Sequence, residues 1–239
     1  MRLYRLICYF DNLLRSSQFY LFYLKYFRNH KLTPDANKTL IIEGYPRSAN
    51  SFIEALIYFN NRDLLYENKI SSHTHSISSL KFGIKKKIPI IVVLRDPIDS
   101  ISSLKIRRSN LPIEMLIFRY IYFYKFVHKN LKKFMILEFD EYTKEYSQTL
   151  KKINNFFNFK LDVNNIKREG IYDLIDNISL LRGTIKKYEP YNIYKTTLSE
   201  KLTQKEKKLK IIKQIKSEKY KILINESYSI YEKILSSRK

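Results

Sequence analysis

The stretch KTLIIEGYPRSANSFIEALIYF, residues 38–59, decides the fold of this chain. Its first part, Thr39–Glu43, is a short apolar run between polar residues, which predicts a buried parallel strand. Its last part, Asn50–Phe59, repeats apolar residues at helical spacing and predicts a helix. The turn between them is Gly44–Ser51. A strand, a turn and a helix start in this order are typical of a loop that binds phosphate.

The turn departs from the phosphate-binding loop of NTPases, whose pattern is G-x-x-x-x-G-K-[ST]. Ala49 occupies the place of the second glycine, and Asn50 occupies the place of the lysine that reaches the β- and γ-phosphates of a triphosphate. The positive charge lies inside the turn instead, at Arg47. An alanine in this turn requires a negative or a mildly strained φ. The loop therefore indicates an anionic ligand other than a nucleoside triphosphate.

Further apolar segments extend the alternation of strands and helices. The run Ile88–Leu94 is the clearest strand, because it is β-branched almost throughout. The later predicted elements are a helix begun by Pro97 and continued over Asp99–Ile106, a helix over Glu114–Leu131, a strand over Phe134–Phe139, a helix from about Glu141 to Phe157, and helical segments over Lys201–Lys219 and Tyr220–Leu235. The order β-α-β-α-α-β-α predicts an α/β fold with an open, mostly parallel central sheet covered by helices on both faces, the three-layer architecture of P-loop NTPases.

Length and composition fit one globular domain over residues 1–239. The formal net charge of +22 points to nucleic acid, an acidic membrane surface or an anionic substrate. It is also what a compositionally biased genome would produce, and both explanations stay open. Cys8 is the only cysteine, which excludes an internal disulfide and a cysteine-based zinc cluster and fits a reducing compartment.

The N-terminal residues 1–33 form a basic and aromatic extension that we expect to be helical. Charged residues interrupt its apolar run, so it is neither a good signal peptide nor a good membrane span. Two arrangements stay open: an amphipathic helix that lies on the protein's own core, and a basic helix that rests on an anionic membrane surface. We expect a cytoplasmic protein in either case, peripheral at the membrane in the second.

A second polar constellation, RDPIDSISS at residues 95–103, follows the clearest predicted strand. Arginine binds phosphate through a two-pronged set of donors. Ser103 lies about two helical turns beyond Arg95, so the two side chains converge only if the strand end folds back toward the helix. Ligands of open parallel sheets bind beyond the carboxyl ends of the strands, where Arg95–Ser103 and Gly44–Ser51 both begin.

Together the two constellations resemble the sulfotransferase family that uses 3′-phosphoadenosine 5′-phosphosulfate (PAPS). In that family a PxSGTT-like loop with a Lys or Arg grips the 5′-phosphosulfate, which implies Arg47, Ser48, Ala49, Asn50 and Ser51 here. An R-[DN]-P-x-D-x-x-x-S segment grips the 3′-phosphate, which implies Arg95 and Ser103. The segment MILEFDEYTKEYSQTLKKINNFFNF, residues 135–159, is similar to the strand and helix of the family, so the resemblance covers about residues 39–161.

The resemblance also implies a catalytic base. Cytosolic members carry a K-T-H segment some twenty residues before the 3′-phosphate arginine, and this chain has His73-Thr74-His75 at that distance from Arg95. An acceptor hydroxyl must lose its proton as it attacks sulfur, and a histidine titrates in the right range to take it. His75 is therefore the expected base, with Arg47 as the expected catalytic cation. Glu54 is a second candidate, because some carbohydrate-sulfating members use a glutamate.

The family's R-K-G segment, which closes over the 3′-phosphate, corresponds here to Arg182-Gly183. The resemblance implies PAPS as the co-substrate, no metal ion, and an acceptor hydroxyl or amine on a carbohydrate or glycolipid. Three alternatives stay open: a P-loop kinase or NTPase, a nucleic-acid-binding protein suggested by the net charge, and a relative that has lost catalysis. We expect no specific nucleic-acid partner, since the Lys201–Lys219 segment is typical of a solvated helix face.

Overall fold

A computed structural model describes residues 2–28, 32–181 and 198–238. The strands are β1 (Leu40–Gly44), β2 (Ile70–Ser72), β3 (Ile90–Leu94) and β4 (Met135–Glu138). The helices are α1 (Arg2–Arg15), α2 (Gln18–Tyr23), α3 (Asn50–Tyr58), α4 (Arg62–Tyr66), α5 (Ile77–Lys86), α6 (Pro97–Arg107), α7 (Ile113–Lys129), α8 (Phe139–Tyr142), α9 (Tyr146–Phe157), α10 (Arg168–Leu181), α11 (Leu198–Ile215) and α12 (Lys221–Ser237). A π-helical turn at Leu24–Arg28 continues α2, and short 3-10 turns precede β4 and α12.

The four strands form one parallel sheet in the order β2-β1-β3-β4. Ile42 pairs with Ile91 across β1 and β3, and Val92 pairs with Ile136 across β3 and β4. Two sets of buried apolar side chains lie on opposite faces of this sheet. Ile41 and Val92 point into one set, and their neighbours Ile42 and Ile91 point into the other. The predicted α/β fold with a parallel sheet covered on both faces is confirmed.

The predicted element order is incomplete. It lacked the helices α4, α5 and α10 and the strand β2, which has the two polar residues Ser71 and Ser72 in a length of three. Both serines are fully buried, and their hydroxyls donate to the Leu32 carbonyl and to the Glu54 carboxylate. The predicted helix from about Glu141 to Phe157 is also divided into two helices, α8 and α9.

The glycine at the end of β1 allows a close approach of β1 to β3. A β-carbon at Gly44 would lie 2.8 Å from the Val93 carbonyl oxygen, a distance that would force the backbone apart. The carboxyl ends of β1 and β3 therefore lie side by side, and the loops that leave them begin next to each other.

The N-terminal helix α1 turns its large apolar side chains away from the protein. Its inner face consists of Cys8, Asn12 and Ser16, which are at most 9% exposed. Helix α1 packs against α7, and α2 packs against α5. The outer positions carry exposed large apolar residues, including Phe10 at 60% exposure and Leu14 at 57%. The segment therefore lies on the domain, as one of the two open arrangements expected, but it leaves most of its large apolar side chains exposed.

The C-terminal helices pack over the segment that contains Arg95 and Ser103. Helix α11 packs against α6, and α12 packs against α6 and α7. Tyr228 of α12 donates to the Asp96 carboxylate over 2.9 Å, and Tyr231 donates to Glu138 over 2.7 Å. The lysine-rich face of α11 is largely solvated, as predicted. Within the ranges that the structure describes, no helix combines the length and apolar character that a membrane span needs.

Candidate active site

The loop between β1 and α3 holds two residues other than glycine in the left-handed conformation. Arg47 has a φ of 73° and Ala49 has a φ of 64°, both in the left-handed region. The Ser48 amide donates to the Tyr45 carbonyl over 3.1 Å, which tightens the turn. No side chain caps α3 at Ala49, so the first amides of this helix point outward without a capping acceptor. Such a helix start attracts anions.

The structure brings Arg47, Arg95 and Ser103 together. The Arg47 Nε atom donates to the Ser103 hydroxyl over 3.1 Å, and an Arg95 terminal nitrogen donates to the Arg47 carbonyl over 2.8 Å. Arg95 and Ser103 therefore meet through Arg47, which each of them contacts. The resemblance assigns Arg47 to the 5′-phosphosulfate, yet its guanidinium contacts Ser103, which the resemblance assigns to the 3′-phosphate.

Arg95 is held on three sides and retains one donor. Its guanidinium carbon lies 4.1 Å from the centroid of the Phe139 ring, and its other terminal nitrogen lies 3.5 Å from the Asp99 carboxylate. The Lys208 ammonium donates to the same Asp99 carboxylate over 2.8 Å. These cations lower the pKa of Asp99 against the effect of its partial burial. Within the described residues the buried Arg95 Nε has no hydrogen-bond partner.

Asn50 is the second group in the loop that lacks a partner. Its side chain is 3% exposed, and neither the amide nitrogen nor the amide oxygen makes a hydrogen bond to any described residue. A buried polar group without a partner costs about 1–3 kcal/mol. Such a group in a loop with outward amides fits a site that is completed by a polar ligand.

Four buried tyrosines donate to carbonyl groups at the strand ends, in the first loop and in α7. The hydroxyl of Tyr120 donates to the Arg95 carbonyl over 2.8 Å, and that of Tyr124 donates to the Val93 carbonyl over 2.7 Å. Tyr142 donates to the Ser48 carbonyl, and Tyr45 donates to a carbonyl of α7. Burial raises the pKa of Tyr124 to about 12, so its hydroxyl keeps its proton at neutral pH.

A buried carboxylate below the loop organises the His73-Thr74-His75 segment. Glu43 is fully buried, and it accepts from the Thr74 amide over 3.2 Å and from the His75 amide over 2.8 Å. The Thr74 hydroxyl donates to the same carboxylate over 2.5 Å. Burial raises the pKa of Glu43 to about 8, although these hydrogen bonds oppose the shift. Both histidines have positive φ values, 62° at His73 and 48° at His75.

His75 is oriented as a neutral base. Its Nδ1 atom lies 2.8 Å from the Gly44 carbonyl oxygen, so Nδ1 carries the proton and Nε2 has a free lone pair. Burial lowers the pKa of His75 to about 3, and the charges of His73, Arg15 and Arg47 add to that effect. The side chain lines a pocket with Asn12 and Arg15 of α1 and with Arg119 of α7.

Glu54, the second candidate base, lies on a different side of the loop. It is 1% exposed and accepts from the Ser72 hydroxyl over 2.8 Å. The His73 Nε2 atom lies 3.3 Å from the same carboxylate and 3.4 Å from the Ser51 hydroxyl. His73 therefore joins the start of α3 to a buried acid, whereas His75 faces the pocket.

Sequence reasoning missed Glu43 and the tyrosines. Glu43 could have been found, because it is the one charged residue in the apolar run of β1. Arg182 and Gly183 lie outside the described residues. Among the residues that the structure describes, no three His, Cys, Asp or Glu side chains come together as a metal site, and the expected metal independence stays a prediction.

Comparisons with known proteins give a distant structural likeness. No family model matches the chain, and no curated protein matches it. Among solved structures, the chain is similar to the mouse sulfotransferase SULT7A1 complexed with PAP, at 14% sequence identity and a TM-score of 0.39. That similarity covers 87% of this chain and 94% of the mouse chain. At this distance we build neither the site nor the reaction on it.

Proposed function

We propose that the chain is a sulfotransferase that moves a sulfuryl group from PAPS to a hydroxyl or amine of an acceptor. The observation that carries the proposal is the contact between the two loops, in which Arg47 reaches Ser103 and Arg95 reaches the Arg47 carbonyl. A donor with phosphates at both ends of its ribose needs two adjacent anion sites. The loops after β1 and β3 offer such a pair at neighbouring strand ends.

The polar groups without partners fit such a ligand. The Arg95 Nε is a buried donor in the loop after β3, and the amides at the start of α3 provide donors at the other loop. In the proposal, Arg95 and Ser103 hold the 3′-phosphate, and Ser48 to Ser51 hold the 5′-phosphosulfate. Arg47 lies between the two groups, and its charge stabilises the negative charge that grows on the bridging oxygen.

His75 takes the acceptor proton in this proposal. The acceptor oxygen forms a bond to sulfur, the bond from sulfur to the bridging phosphate oxygen breaks, and the acceptor proton passes to Nε2. A histidine with a pKa of about 3 is unprotonated at neutral pH and so is ready to accept. An anionic donor next to Arg47 offsets part of the positive charge that lowers the pKa of His75, whereas the effect of burial, the larger cause, remains.

The decisive experiment is calorimetry with adenosine 3′,5′-bisphosphate on the wild type and on Arg95→Ala and Arg47→Ala. We expect binding by the wild type and a loss of at least about tenfold in each variant, since each removes a charge-assisted hydrogen bond. The matched control is Arg62→Ala, which removes an exposed arginine at the start of α4. No binding by the wild type, or equal binding by all four proteins, would overturn the proposal.

Two further ligands separate the alternative functions. ATP with Mg²⁺ tests the NTPase alternative, which predicts that ATP binds and the bisphosphate does not. A generic DNA duplex tests the nucleic-acid alternative, which predicts tight binding with a steep dependence on salt. The acceptor assay then compares His75→Ala with the wild type. Full turnover by that variant would remove His75 from the mechanism.

A further inference from the structure

The segment 6–27 exposes an unusual concentration of large apolar side chains. Of the sixteen such side chains that are exposed in the described part of the chain, eleven lie in this segment. They include Phe19 at 82% exposure, Phe27 at 72% and Tyr26 at 62%. Contiguous exposed apolar surface of this kind marks a site of interaction.

The segment is held in this orientation by polar contacts. The Asp11 carboxylate accepts from Arg119 of α7 over 2.9 Å, and Arg15 lies 3.1 Å from the same carboxylate. Lys81 of α5 donates to the Ser16 carbonyl over 3.1 Å. Cys8, Asn12 and Ser16 therefore face the domain, and most aromatic residues of the segment 6–27 face outward.

The excess of basic residues in the segment favours an anionic partner. The sequence of residues 2–28 carries five basic residues against a single acidic one, and that acid, Asp11, is paired with arginines. Lys25 is exposed beside the Tyr26 ring. Phenylalanine and tyrosine enter the headgroup region of a bilayer, and basic residues next to them are attracted to anionic lipids. The whole chain adds a net charge of +22 to that attraction.

We propose that the outer face of residues 6–27 docks on an anionic membrane surface. The docked face includes the aromatic side chains of α2 and the π-helical turn, with Lys25 at the headgroups. The pocket beside His75 is lined by Asn12 and Arg15, on the inner side of the same helix α1. Docking therefore holds this pocket within about one helix diameter, roughly 10 Å, of the bilayer.

The test is co-sedimentation of the full chain with large vesicles. We expect binding to phosphatidylcholine vesicles that contain phosphatidylglycerol, and at least about tenfold weaker binding to pure phosphatidylcholine. The variant Phe19→Ser with Phe27→Ser should bind the anionic vesicles at least about tenfold more weakly. Lys25→Glu should weaken binding about tenfold and reduce its salt dependence.

A matched control carries the same chemical change elsewhere. Ile222 of α12 is 81% exposed and Tyr66 of α4 is 74% exposed, and Ile222→Ser with Tyr66→Ser should bind like the wild type. Circular dichroism should be used to check that each variant is folded. Absence of binding to anionic vesicles, or equal loss in the control, would overturn the proposal. The proposal would also be overturned if the wild type forms a dimer, and Phe19→Ser with Phe27→Ser abolishes that dimer but leaves vesicle binding unchanged. The face would then bind a second copy of the chain.

Discussion

Arg95 donates a hydrogen bond of 2.8 Å to the main-chain carbonyl of Arg47, so one arginine fixes the loop that carries the other. The bond joins the loop after β3 to the loop after β1. It uses a terminal nitrogen and leaves the buried Nε without a partner among the described residues. Arg95 therefore has a positioning contact and, on the same guanidinium, a buried donor without a partner among the described residues.

Arg95→Lys should separate charge from geometry. Lysine keeps the positive charge but lacks the planar set of donors that reaches the Arg47 carbonyl and a phosphate together. We expect the affinity for adenosine 3′,5′-bisphosphate to fall at least about tenfold, as measured by calorimetry. Arg62→Lys is the control and should bind normally. Undiminished affinity of Arg95→Lys would mean that only the charge of Arg95 matters.

Ala49→Gly should stabilise the protein. The φ of Ala49 is 64°, a conformation that costs a residue with a β-carbon about 1 kcal/mol or more relative to glycine. Urea unfolding should show a gain of about 1 kcal/mol. Ala55→Gly is the control in the buried interior of α3, where glycine should cost about 1 kcal/mol. A loss of stability in both variants would contradict the strained conformation of Ala49.

Asn50→Ala should raise stability and lower ligand affinity. It removes a buried amide without a partner, and we expect the unliganded protein to gain about 1 kcal/mol in free energy of unfolding. The control is Asn154→Ala, because the Asn154 amide makes two hydrogen bonds of 2.9 Å with Leu161, and its loss should destabilise. If Asn50→Ala destabilises as much as the control and binds the bisphosphate normally, Asn50 is an ordinary structural residue.

His75 should make the folded state sensitive to acid. Its pKa is about 3 in the folded chain, against about 6.5 in an unfolded chain. As the pH falls below about 6.5, the unfolded state binds a proton that the folded state does not, so stability decreases. The thermal unfolding temperature of the wild type should therefore fall more steeply between about pH 6.5 and pH 4 than that of His75→Gln. His128→Gln removes an exposed histidine as the control, and matching slopes in wild type and His75→Gln would contradict the prediction.

Glu43 should make the folded state less stable as the pH rises, the opposite of the effect of His75. Burial raises its pKa to about 8 in the folded chain, so the folded state retains a proton that the unfolded state has released above about pH 4.5. The stability of the wild type relative to Glu43→Gln should therefore fall as the pH rises toward 8, by about 1.4 kcal/mol per pH unit, the slope for one proton. Glu67→Gln removes an exposed carboxylate as the control. A pH-independent difference would show that the hydrogen bonds from Thr74 and His75 keep Glu43 ionised.

The sequence predicts what depends on local pattern. Continuous apolar runs indicated β1, β3 and β4, whereas β2 escaped because buried serines satisfy their hydroxyls through contacts distant in the chain. The loops at Arg47 and Arg95 were predictable from their places after strands. The orientation of α1 was not, because periodicity reveals that a helix has two faces and does not reveal which face is covered. The φ of Ala49 could not be predicted either, because the surrounding fold imposes it.

The buried phenols have a consequence for selectivity. Tyr120, Tyr124 and Tyr142 donate to carbonyl oxygens at the strand ends and in the loop, which holds these groups in place and uses part of their acceptor capacity. The loops therefore attract negative ligands through fixed backbone dipoles, and a change of ionic strength hardly weakens that attraction. Lysines across the surface attract every polyanion alike, whereas a rigid array of amides accepts only an anion of matching shape. In this way a chain of such high charge can still discriminate.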